Sequence, residues 1–164
     1  MNDRADDVLQ TLVGSGNDAK QVSYSEADLR RVKITHGPHA IDVVAQFGDL
    51  RPTSWQLFEV QLRALGRAYY GDGVGTRDDP TALSVQWELR YLGNTLTLRC
   101  PGATARADFS RNRVFMTVPT FCLGTPPWVR VNVRNIVNGR GGTTYEDGLD
   151  EGGSGGDTPR VYRP

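Results

Sequence analysis

Thr53-Ser54-Trp55-Gln56-Leu57-Phe58-Glu59-Val60-Gln61-Leu62-Arg63-Ala64-Leu65-Gly66-Arg67-Ala68-Tyr69-Tyr70-Gly71 is the stretch on which the fold turns. Thr53 or Ser54 can cap a first helical turn, and Thr53 with Gln56 has the spacing of a capping box, in which each side chain satisfies an orphan backbone N–H. Trp55, Phe58, Leu62, Leu65 and Tyr69 then recur at three- and four-residue steps. That spacing predicts a helix with all five on one apolar face, ended by Gly71. The following run, Gly71-Asp72-Gly73-Val74-Gly75-Thr76-Arg77-Asp78-Asp79-Pro80, reads as an exposed loop.

On either side of this segment the period drops to two. Val32 and Ile34, then Ile41, Val43, Val44 and Phe47, predict two short strands around His36-Gly37-Pro38-His39. Leu83, Val85, Trp87, Leu89 and Tyr91 alternate with polar residues and predict a strand; with Gly93-Asn94 as a turn, 83–99 reads as a hairpin. Further strands are expected at Val114–Val118 and Trp128–Val133. The expected fold is α+β: a single domain, residues 28–137, with a mostly antiparallel sheet of about six strands packed against one main helix. An acidic N-terminal arm, 1–27, and a glycine- and acid-rich tail, 138–164, are expected to be flexible, because they offer too few apolar side chains to offset ordering.

The 164 residues carry 19 basic and 19 acidic side chains, a formal charge of zero that conceals a segregation. Residues 1–29 hold six acids and two bases, a net of −4; residues 138–164 hold five acids and three bases, −2; the middle span, 30–137, holds 14 bases and eight acids, +6. A core with that excess is drawn to polyanions such as RNA, nucleoprotein or an anionic bilayer, in a salt-dependent way. Seventeen of the 19 cations are arginine, whose planar fork suits phosphate; base composition of the gene would produce the same bias. No apolar run approaches bilayer-spanning length, and the N-terminus reads as that of a chain made in the cytosol or its equivalent. In that setting Cys100 and Cys122 are expected to be small buried apolar groups rather than a disulfide.

Catalytic chemistry finds little support in these residues. His36 and His39 with the two cysteines are the only soft-ligand set, and the cysteines lie 22 positions apart without a C-x-x-C pairing. Gly71, Gly73 and Gly75 follow the predicted helix and precede a strand, the reverse of the order that aims N–H groups at a phosphate. Asp72, Asp78 and Asp79 lack the spacing of a calcium loop, and no carboxylate pair stands out for acid/base work. The reading is therefore of a protein that is not an enzyme and has no metal or cofactor. Candidate binding residues are the core cations Arg30, Arg31, Lys33, Arg51, Arg63, Arg67, Arg106, Arg111 and Arg113. The apolar connection 118–128, with Phe121, Pro126, Pro127 and Trp128, reads as a cover over the core or, if exposed, as a contact for self-association or a membrane.

Over roughly 110 residues the order of motifs resembles a known family. A strand opening Asp28-Leu29-Arg30-Arg31, a second apolar strand, Arg51-Pro52 followed by Ser54, a bulky helix and Tyr69-Tyr70-Gly71 are similar to the strand, Ser-capped helix and Tyr-x-Gly ending of rhabdovirus matrix proteins. The lysine-rich N-terminal segment and the proline-tyrosine budding motif of many animal-virus members are absent here, and the short length is nearer the plant-virus form. The resemblance implies a viral structural protein of the virion, host cytoplasm and inner face of host membranes. Such a protein self-associates, binds and condenses nucleocapsid, and bridges it to an anionic membrane surface during budding. Without the resemblance, a capsid or RNA-binding structural protein with no membrane role accounts for the same cations.

Overall fold

The fold was obtained as a computed structural model, which describes residues 8–12, 20–22, 24, 27–51, 55–75, 82–91, 94–98, 100–138, 143–148 and 157–164. The described residues form thirteen strands: β1 (Val8–Leu12), β2 (Lys20–Val22), β3 (Leu29–His36), β4 (Ala40–Phe47), β5 (Trp55–Ala64), β6 (Arg67–Gly75), β7 (Ala82–Tyr91), β8 (Asn94–Leu98), β9 (Thr104–Asp108), β10 (Arg113–Pro119), β11 (Trp128–Asn138), β12 (Thr143–Gly148) and β13 (Val161–Tyr162). Two short 3-10 turns, Phe109–Arg111 and Thr120–Leu123, are the only helical pieces among the described residues. The expected α+β fold is thus corrected to an antiparallel all-β one.

The difference lies in residues 55–75, where a helix was expected. Residues 55–75 form a hairpin, with β5 and β6 joined by the two-residue turn Leu65-Gly66, whose φ angles of 52° and 72° are those of a type I′ turn. Phe58, Val60, Leu62 and Ala64 are buried at every second position, while Leu57, Glu59 and Arg63 take the other face. Leu62 and Tyr69 satisfy the helical spacing only because they are direct cross-strand partners on one face. Gly71 to Gly75 continue β6, with Gly71 and Gly73 opposite Val60 and Phe58, instead of starting a loop. The proposed cap at Thr53 and Ser54, the remainder of that loop at 76–80 and the Gly93 turn lie outside the described residues.

The hydrogen-bonded order is β2-β1-β12-β11-β5-β6-β7-β9-β10-β4-β3, with β8 on β7 and β13 on β11. In that order four strands separate β4 from β5, yet the Phe47 and Phe58 rings meet edge to face at 6.2 Å. The sheet therefore folds back on itself. One edge of β7 pairs along β6, and the other is divided between β8 at 87–91 and β9 at 82–83, so β7 is the strand at which the layers part. One layer is β3-β4-β10-β9 and the other contains β11-β5-β6. A single core cluster joins Leu29, Val32, Ile41, Val43, Val114, Met116 and Val118 of the first to Phe58, Val60, Leu62, Val129, Val131 and Val133 of the second.

Among the described residues, both ends of the chain contribute strands. β1 pairs with β12, which pairs with β11. Asp147, 0% exposed, accepts hydrogen bonds from the N–H groups of Leu29 at 2.6 Å and Gly148 at 2.8 Å, and the buried Asn135 amide donates to the Ala27 carbonyl. Farther along β11, Thr158 N–H donates to Val131 O, Val131 N–H donates to Thr158 Oγ1, and Val161 and Tyr162 pair with Val129 and Trp128. His36 Nδ1 donates to the Val161 carbonyl at 3.1 Å, tying β3 to this last segment. The segments 1–7, 13–19 and 149–156 lie outside the described residues.

Cys100 and Cys122 form a disulfide with a Cα–Cα separation of 5.6 Å, against the expectation of two free thiols. They lie too far apart in sequence to be seen as a pair, but the β8–β9 connection and the 3-10 turn after β10 meet at one end of the core. Replacing both with serine removes a link closing 22 residues and is expected to lower unfolding free energy by about 3 kcal/mol, read from denaturant melts under non-reducing conditions. The Leu65 turn supplies a test of opposite sign. Leu65 is 52% exposed in the left-handed region, so Leu65→Asn is expected to stabilise by roughly 1 kcal/mol. A helix through this segment would instead be weakened by the same change.

Candidate functional site

The alternation that fills the core also fixes what faces water. On the first layer, Val32 and Ile34 point inward from β3, Ile41, Val43, Ala45 and Phe47 from β4, and Val114, Met116 and Val118 from β10. The residues between them form a solvent-facing grid whose rows follow from the pairing register. Arg31, Gln46, Arg113 and Asp108 lie in one row; Lys33, Val44, Phe115 and Arg106 in the next; Thr35, Asp42, Thr117 and Thr104 in the third. Neighbours within a row are about 4.8 Å apart and rows about 6.8 Å apart. Arg31, Lys33, Val44, Gln46 and Arg113 line an open depression of about 240 Å³.

Four of the nine predicted cations, Arg31, Lys33, Arg106 and Arg113, thereby share a face, although they come from three strands. None of the four forms an ion pair with a described residue. Arg106 lies over the Phe115 ring, 4.0 Å from its centroid. The two acids of the grid are engaged locally: Asp42 accepts from Thr117 Oγ1 at 2.7 Å, and Asp108 accepts from Ser110 Oγ at 2.7 Å and Arg111 N at 3.2 Å. The Ser110 hydrogen bond, with those of the Arg111 and Ser110 backbone and the Arg111 charge, outweighs desolvation and holds the Asp108 carboxyl below its ordinary range. Asp108 stays ionised while capping the 3-10 turn.

The other predicted cations fall elsewhere. Arg111, 71% exposed and 3.9 Å from Asp108, borders the face. Arg30 pairs with the buried Asp28 at 2.5 Å, Arg51 with Asp49 at 2.6 Å and Arg63 with Asp157 at 3.3 Å. Arg67 stands at the β5–β6 turn, away from the grid. Gln46, Val44 and Phe115 complete the face and were missed as site residues. The signal for them was present in Arg113-Val114-Phe115-Met116-Thr117, whose alternation puts Phe115 on the same side as Arg113.

Of the self-association candidates, Phe121 is 60% exposed and Pro127 is exposed, but Pro126 is buried and Trp128 is half-buried beneath Arg160, 4.3 Å from its ring centroid. Leu65, 52% exposed, belongs to the same end of the sandwich, because a Cβ on Gly124 would lie 3.9 Å from its Cδ1. The soft-ligand set does not assemble: the two sulfurs bond each other, His36 is buried against Val161 and His39 is exposed. Among the described residues no three His, Cys, Asp or Glu side chains come together. A second depression, of about 320 Å³, between β3 and 158–161 is lined by Val32, Ile34, Thr158, Pro159, Arg160 and Val161. No family model and no curated protein sequence is significantly similar to this chain.

Proposed function

We propose that this chain is a non-enzymatic structural protein that docks on nucleic-acid-bearing assemblies through the outer face of β3-β4-β10-β9. The observation that carries this reading is the convergence of Arg31, Lys33, Arg106 and Arg113 on one sheet face without carboxylate partners among the described residues. Cations neutralised by local pairs gain little from an incoming phosphate, whereas unpaired ones release counterions on binding it. The grid's depression is smaller than the roughly 300–1,000 Å³ of small-molecule sites and opens onto a broad face, which suits an extended polymer.

A matrix-type role, with nucleocapsid condensation and a contact to an anionic membrane, draws on the same face together with exposed Phe121 and Leu65 at the end of the sandwich. Those two side chains, set on a turn next to the disulfide and on a hairpin tip, suit contact with another copy or with the bilayer interface. The segment on which the matrix resemblance draws its helix is the β5–β6 hairpin. The cationic face, and not the resemblance, is what supports this role.

The test is binding of a fluorescent RNA across a salt series, with Lys33→Ala/Arg106→Ala/Arg113→Ala beside the unaltered protein. Unaltered protein is expected to bind with log K falling linearly in log salt, and each lost phosphate contact to reduce that slope by about 0.7. Equal binding by the triple variant, or no binding at low salt, would overturn the proposal. Flotation with phosphatidylserine vesicles distinguishes the two structural roles: co-flotation abolished by Phe121→Ser supports the matrix type, and RNA binding without flotation the RNA-binding type.

A further inference from the structure

The middle of the cationic face is apolar. Val44 and Phe115 are adjacent partners in the central row, with Lys33 on one side and Arg106 on the other. Arg31, Gln46 and Arg113 lie in the row beside them. A face built only to neutralise a rod of phosphates would gain nothing from a half-buried phenyl ring and a valine at its centre, since a duplex hides its base planes. A strand with unpaired bases offers planes as well as phosphates, and aromatic and guanidinium groups are the surfaces on which such bases stack.

The acid in the grid points the same way. Asp42 lies next to Val44 on β4 and has acceptor capacity beyond its bond to Thr117 Oγ1. A carboxylate repels phosphates and anionic headgroups, but it accepts from base amino groups and ribose hydroxyls. Gln46, inside the depression, supplies an amide that both donates and accepts. We propose that this face binds single-stranded nucleic acid, with a base stacked on the Arg106 guanidinium, which the Phe115 ring supports from beneath at 4.0 Å, and the flanking phosphates held by Arg31, Lys33 and Arg113. This inference rests on the polyanion reading above and narrows it to unpaired strands.

The experiment compares a fluorescent single-stranded RNA of about a dozen nucleotides, the same sequence as a duplex, and heparin, all at one salt concentration. The single strand is expected to bind about tenfold more tightly than the duplex. Phe115→Ala is expected to weaken the single strand about tenfold while leaving heparin within about twofold, because stacking is lost and charge is not. Phe115→Leu keeps an apolar side chain against Val44, and near-UV circular dichroism checks that its fold is intact; it is expected to lose several-fold in single-strand affinity only. Equal affinity for single strand and duplex, with Phe115→Leu binding like the unaltered protein, would overturn this inference and leave the polyanion reading in place. Failure to bind any of the three probes would overturn both.

Discussion

Closure of two apolar sheet faces on each other, marked by the edge-to-face contact of Phe47 and Phe58, is the constraint from which the other features follow. An antiparallel sheet with one apolar face has to cover it, and in this chain the cover is the continuation of the same sheet. Because the side-chain period is two, burying Val43, Ala45, Val114 and Met116 leaves Asp42, Val44, Gln46, Arg113, Phe115 and Thr117 facing water. A one-residue slip of β10 on β4 would turn Arg113, Phe115 and Thr117 into the core and Val114 and Met116 out to water. The cationic face is thus a product of the same register that makes the core.

The charge segregation along the sequence has a different physical meaning once the pairing is known. Part of the acidic excess of the two ends is structural: Asp28 and Asp147 are fully buried, one paired with Arg30 and the other receiving backbone N–H groups of Leu29 and Gly148. A buried carboxylate is tolerated only with such partners, which fix the approach of the N-terminal side of β3 to β12. Acids spent in this way do not screen the outer grid, and Asp42 and Asp108 on the grid are held by hydroxyl and backbone donors. Four cations of the middle span therefore share one face, while Arg30, Arg51 and Arg63 are occupied in ion pairs elsewhere.

Much of the sheet was legible because its strands alternate cleanly. Val32–Ile34, Ile41–Phe47, 83–91, Val114–Val118 and Trp128–Val133 all fall within strands of the fold. The hairpin at 55–75 was not, because Phe58, Leu62 and Tyr69 meet a helical spacing and a cross-strand spacing alike, and apolar periodicity cannot separate the two when a two-residue turn intervenes. Val60 and Ala64, which complete an unbroken alternation, and Leu65-Gly66 were the discriminating residues. The end strands escaped notice because they are short, with few apolar side chains, and β1 finds its partner β12 more than a hundred residues away, Leu9 opposite Glu146. The disulfide, across 22 residues, and the union of Arg31 with Arg113 through Gln46 both depend on strand pairing that apolar periodicity does not encode.

The central claim, that a nucleic acid lies across β3-β4-β10-β9, is tested most directly by ultraviolet cross-linking of the protein to RNA followed by mass spectrometric mapping of the attached residues. Attachment is expected within 31–46 and 104–117, with Phe115 foremost. Attachment confined to the outer face of β5 and β11 or to residues 157–164, with none in the grid, would contradict it.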